Sequence, residues 1–242
     1  MYHPFSIPET IKASWSLMKR NFITIIVYSF IAYILLSVLT IVIATLFPTE
    51  EYWAQVVVAF LTVFVQAYTT LGLYKLIFTL IDSEYHEFAF KQTVPTLKMV
   101  FSYLGVECII AFVVGTFIFI TGHLEDGSIL QNIVFVIGFA AIIYLTLRIM
   151  FFNTFIVDDH SGGLESIRQS FSLTKGYMLK VLVILVIIIV LIFIPAKLSQ
   201  YYPFISLTIV FTYPFVNIIL AVTYRKLVYS HQDVDDDVAE TN

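Results

Sequence analysis

The chain has 242 residues, of which 60% are hydrophobic and 12% charged, with a formal net charge of −4. Soluble domains carry about 25% charged residues, and here the shortfall is gathered into long uncharged blocks, which excludes a water-soluble globular domain. Five of the 17 acids fall in the last ten residues. Nothing in the remaining charge pattern points to a nucleic-acid partner.

A helix needs about 20 apolar residues to cross a bilayer. Six runs stand out, about 22–47, 53–81, 99–121, 129–153, 178–195 and 203–229. Many of their residues are β-branched, but in hydrocarbon a lone strand leaves its backbone unpaired while a helix satisfies it internally. The expected fold class is therefore all-α: a polytopic membrane protein with six transmembrane helices arranged as three hairpins.

In chain order, the first predicted element is an amphipathic helix over 7–20. Ser6 and Glu9 have capping-box spacing and Pro8 suits a first helical turn. Pro8, Ile11, Trp15 and Met18 form one stripe, with the aromatic side expected to face lipid or bundle. The run at 22–47 follows, longer than the apolar core of a signal peptide and read as a retained span. The second span, 53–81, carries Lys75 near its end. A weaker amphipathic candidate over 86–98 includes "FAFKQTVPTLKM" and leads into the third span, 99–121. Glu107 lies about 13 Å along that span from Lys98 at 1.5 Å per residue. The fourth span, 129–153, ends with Arg148. The segment 162–176 is a third amphipathic candidate, with Gly176 placed to end it. The fifth span, 178–195, is almost unbroken aliphatic. The sixth, 203–229, contains Pro214 and ends with Arg225. Residues 230–242 read as an acidic, disordered tail.

The first and third amphipathic segments share a phrase. Residues 11–19 read "IKASWSLMK" and residues 167–175 read "IRQSFSLTK". Three units, each an interfacial helix followed by a hairpin, account for this. The hairpins end in "LYKLIF", "TLRIMFF" and "TYRKLVY", each with a cation several residues short of the boundary.

Of the 13 cations, 12 fall before the first span or near the loops after even-numbered spans, and only Lys197 falls on the other side. The positive-inside rule then places both termini in the cytoplasm, for a multi-pass protein of the cytoplasmic (inner) membrane. Trp15, Phe171 and Arg225 are the expected interfacial anchors.

The stretch 148–176, "RIMFFNTFIVDDHSGGLESIRQSFSLTKG", resembles a pattern in a broad group of bacterial six-span proteins. In that group an Arg near a span's end is followed by apolar residues, an acid, a Gly-containing turn and a helix of the form "S…S…LTKG". The group includes the membrane domain found ahead of some glycerophosphoryl diester phosphodiesterases and stand-alone proteins without a known role. The resemblance implies a fold and carries over no catalytic residue, because the soluble catalytic barrel of those relatives is absent from this sequence.

Ionisable groups within spans are the first place to look for chemistry. Glu107, Arg148 and Lys75 are the candidates. A Glu107–Arg148 pair locking the third span to the fourth is the first expectation, with Glu107 as a proton or cation site, or as a neutral buried carboxyl, the alternatives. Acid and His clusters at 82–87, 158–160 and 231–237 match no metal-ligand spacing, and no metal or cofactor is expected. No nucleophile-and-base motif or phosphate loop is present. The expectation is a non-enzymatic accessory, scaffold or envelope-homeostasis factor, with membrane lipids and a membrane protein as partners. A cavity amid the three hairpins would hold lipid. The alternative is a transporter or permease component for a small solute or amphiphile.

Overall fold

The computed structural model describes residues 5–46, 51–82 and 90–240. They form nine α-helices and no strand, and six helical stretches are long and apolar enough to cross a membrane. The chain is a multi-pass membrane protein. Helix α1 (Ile7–Arg20) is the first amphipathic segment, and α2 (Phe22–Leu46) and α3 (Tyr52–Asp82) are the first hairpin. Helices α4 (Leu97–Gly122) and α5 (Ile129–Ile149) form the second, extended by the short α6 (Phe152–Asp158). Amphipathic α7 (Gly163–Leu173) precedes the third hairpin, α8 (Met178–Ser199) and α9 (Ile209–Glu240).

Four local differences from the sequence expectation have physical causes. The segment 86–98 does not form a separate α-helix over its described part: Phe90–Thr93 make one 3₁₀ turn, 94–96 are non-helical, and 97–98 already belong to α4. Pro95 lies in this stretch, and a proline disfavours the α conformation of the residue before it. The fourth run breaks at 150–151 before resuming as α6. The backbone of α9 runs helical to Glu240, into the acidic segment expected to be a disordered tail over 230–242, and no Gly or Pro follows Pro214 to stop it. Ser6 caps α1 without a side-chain bond. Its carbonyl instead accepts from the Thr10 hydroxyl at 2.8 Å, and Glu9 reaches Lys226 of α9.

The spans close a ring, α2 to α3 to α4 to α5 to α8 to α9 and back to α2, and α3 touches α9 across it. Helix α1 lies on α9, and α7 lies on α4, α5 and α6. We call the end that carries α1, α6 and α7 the near end. Buried side chains crowd there. On α4 they are Met99, Val100, Tyr103 and Val106; on α5, Leu147 alone; on α8, Val181, Ile184 and Ile188.

Both copies of the repeated phrase bury the same face. Thr10, Ser14 and Leu17 of α1 correspond to Ser166, Ser170 and Leu173 of α7, and all six are buried. The stripe that packs is therefore small and hydroxylated, not the aromatic one. Membrane helices associate through close approach of small residues and interhelical hydrogen bonds, because lipid tails already satisfy apolar surface.

Candidate functional site

The near end is held by two polar ties. The first stitches the break between α5 and α6. Two helix ends meet there, and each leaves backbone groups without helical partners. The buried Ser170 hydroxyl donates to the Arg148 carbonyl at 2.7 Å and accepts the Phe151 N–H at 3.2 Å. The Arg148 guanidinium lies over the Phe171 ring, 4.9 Å from its centroid, and donates to the Thr174 hydroxyl at 2.9 Å.

The second tie joins three spans. Arg225 of α9 pairs with Asp82 of α3 at 2.8 Å and Asp158 of α6 at 3.0 Å, over the face of Phe78. Asp158 also accepts from the Tyr224 hydroxyl at 2.9 Å. Neighbouring Asp159 has its carboxyl pushed above the ordinary aspartate range, first by desolvation and then by the charge of Asp158.

Further into the bundle lies a row of polar side chains. Tyr28 of α2 donates to the Thr69 carbonyl at 2.9 Å, and Thr70 shares a 2.7 Å hydrogen bond with Tyr213 of α9. The Asn217 amide donates to the Tyr213 carbonyl at 2.8 Å. Tyr74 is fully buried with the Asn153 side chain within hydrogen-bonding reach of its hydroxyl, and the Asn153 side-chain carbonyl oxygen has no hydrogen-bond partner among the described residues. Tyr103 of α4 is within hydrogen-bonding reach of Glu107 one turn on.

Two open clefts flank Tyr213. One, of about 370 Å³, runs between the end of α8 and the start of α9, with Pro195, Ala196, Thr212 and Asn217 in its wall. The other, of about 200 Å³, lies between α2, α3 and α9, walled by Ala32, Leu36, Gln66 and Leu73. Neither cleft is the expected cavity amid the three hairpins. The near-half centre between the hairpins is filled by rings, with Tyr224 edge-on to Phe78 at 5.8 Å and to Phe155 at 5.0 Å.

The three ionisable candidates do not converge. Arg148 is committed to Thr174 and Phe171, so the Glu107–Arg148 lock does not form: α7 lies against both α4 and α5 and takes the Arg148 side chain. Lys75 donates to the Val94 carbonyl at 2.7 Å, across the segment that leads into α4. Glu107 has no ion-pair partner among the described residues. Of the expected anchors, Trp15 is 52% exposed and edge-on to Phe215, Phe171 sits beneath Arg148, and Arg225 is a cross-bundle tie. Of the acid and His clusters, Asp82 and Asp158 meet on Arg225. Residues 83–87 lie outside the described residues, as do the side chains of 231–237.

Sequence reasoning missed Tyr28, Tyr74, Tyr103 and Tyr213. The signal is position: each lies within an apolar run, Tyr213 and Tyr74 deepest, whereas amphipathic rings favour the membrane boundary. Comparison of the chain with family models, curated proteins and solved structures finds no match in any of the three.

Proposed function

We propose that the protein is a non-enzymatic accessory or scaffold of the cytoplasmic membrane, with six crossings and both termini inside, that holds a lipid or other amphiphile in the clefts beside Tyr213. The distribution of cations supports the sidedness, and the far end of the bundle then faces outward. The observation that carries the reading is the pair of clefts meeting at Tyr213. They have largely apolar walls with a few hydroxyl and amide groups, the composition of sites for small amphiphilic ligands. The near half provides a rigid, polar-tied base for them.

The test is purification in mild detergent followed by mass spectrometry of bound lipid and protein. A lipid class enriched over the bulk membrane is expected. It should be lost from Ala32→Phe and Ala196→Phe, which fill the two clefts, while the thermal midpoint is kept. Equal lipid content in wild type and both variants would sink the reading.

A second reading, a transporter component, draws on Glu107, which has no ion-pair partner among the described residues, and on the buried Asn153 side-chain carbonyl oxygen, which has no hydrogen-bond partner among them. It predicts that Glu107→Ala keeps abundance and abolishes flux of a solute. Loss of abundance alone would speak for a structural role.

A further inference from the structure

The two copies of the repeated phrase also match on the face they turn outward. Lys12 and Lys19 of α1 correspond to Arg168 and to Lys175, just beyond α7, and all four are exposed. The start of the following span matches too, with Ile23 77% exposed and Leu179 79%. Lys91 and Lys98, ahead of α4, keep the same seven-residue spacing and are likewise exposed.

None of these six cations has an acidic partner among the described residues, where the three ion pairs use only Arg225 and Lys226. Lys19 instead stacks on Trp15, 5.6 Å from the ring centroid. Buried faces recur because they must pack. Recurrence of an exposed cationic stripe is not explained by packing, since no acidic side chain among the described residues pairs with it.

We infer that α1 and α7 each form a binding site for an anionic phospholipid of the leaflet at the near end. The paired cations take the phosphate, and the exposed aliphatic residue at the head of the next span lies against the acyl chain. Clustered Lys and Arg at a membrane surface attract anionic headgroups additively, and salt screens the attraction. A soluble acidic partner would have no use for Ile23 and Leu179. The inference does not depend on the clefts beside Tyr213.

The protein carries two tryptophans, and they report opposite ends: Trp15 on α1, and Trp53 at the far start of α3. Trp53→Phe leaves Trp15 as the sole tryptophan, excited beyond the tyrosine absorption band. The full chain is reconstituted in mixtures of phosphatidylcholine and phosphatidylglycerol, with one class brominated in its acyl chains. Brominated phosphatidylglycerol is expected to be favoured at Trp15 by about fivefold over brominated phosphatidylcholine at equal fraction. That preference should vanish in Lys12→Ser/Lys19→Ser. At Trp53, read in Trp15→Phe, no preference is expected. Leu164→Trp, introduced without the native tryptophans, reports the α7 site and should lose its preference on Arg168→Ser/Lys175→Ser.

Equal quenching by the two lipid classes at Trp15 overturns the inference, as does a preference that survives removal of both lysines. If the double variant does not fold, ionic strength replaces it. The preference must then collapse on raising salt to ~1 M, and a salt-insensitive preference counts against the site.

Discussion

The near and far halves of this bundle solve different packing problems. In the far half, Phe135, Val136, Ile137 and Phe139 of α5 and Ile189, Val190, Ile192 and Phe193 of α8 are all exposed. In the near half, Thr10, Ser14, Ser166, Ser170 and Thr174 are buried. In water the ranking would be reversed. In a bilayer the large aliphatic side chains are solvated by lipid, and burial goes instead to residues that allow backbones to approach or that hydrogen-bond across helices. Hydrophobicity thus identifies the spans, and small hydroxylated residues identify their interfaces.

The sharpest test of this contrast sets a near-end cation against the far-end one. Removing Arg225 strips the buried side of Asp158 of its counter-charge, while Asp82, 57% exposed, falls back on water. Arg225→Ala is expected to cost about 3 kcal/mol, the range for breaking a partly buried pair from one side. Lys197→Ala, at the exposed end of α8, should stay within about 0.5 kcal/mol. Thermal or SDS unfolding of the purified protein measures both, and equal losses would erase the distinction between the halves.

The two serines of the repeated phrase sharpen it further. Both are buried, but Ser14 only returns a bond to Thr10 within its own helix, at 2.8 Å. Ser170 satisfies a carbonyl and an N–H of another helix junction. Ser170→Ala is expected to cost about 2 kcal/mol, the penalty of leaving buried backbone groups unpaired. Ser14→Ala should cost less than about 1 kcal/mol, since the Thr10 carbonyl keeps its helical partner. The same unfolding curves decide it, and equal costs would show that the two copies are used alike.

Much of this was visible in the residues. The spans, α1, α7 and the paired cations follow from apolar run length and helical period. The faces that pack do not, because helical period picks out the large side chains: it gives Pro8, Ile11, Trp15 and Met18 as one stripe toward lipid or bundle without deciding between them, whereas the buried residues are Thr10, Ser14, Leu17 and Met18. The break after Arg148 is hidden because the residues across it, 149–152, are all apolar. Arg225 was read as a snorkelling anchor because its partners lie 143 and 67 positions away, and no local pattern reports such a separation. Glu107 was assigned to Arg148 on depth alone, and depth does not determine which way around its helix a side chain points.

Glycines extend the comparison to backbone contact. A Cβ at Gly163 would lie 2.8 Å from the Ser102 carbonyl of α4, so Gly163→Ala must push α7 away from that span. A loss of about 1–2 kcal/mol is expected. Gly115, in the far half of α4, has nothing within 4 Å of the same position. There Gly115→Ala should gain about 0.5 kcal/mol by lowering the entropy of the unfolded chain. A loss at Gly115 would reveal a partner against the far half of α4.

The smallest expected effect concerns Asp159, exposed at the rim of the charged tie. Its carboxyl is held above the ordinary aspartate value by desolvation, by Asp158 and by Glu165, against the pull of Arg225 and His160. An acid whose pKa is raised on folding binds its proton more tightly in the folded state. Its contribution is therefore fully present below the unfolded value and is lost as pH rises through the folded one. Asp159→Asn should accordingly raise the thermal midpoint slightly at neutral pH, and the gain should shrink as pH falls toward the ordinary aspartate range. Solvent limits its size, since Asp159 is exposed. If the gain instead grows on acidification, ionised Asp159 is a supporting partner of Arg225 and the tie has three carboxylates.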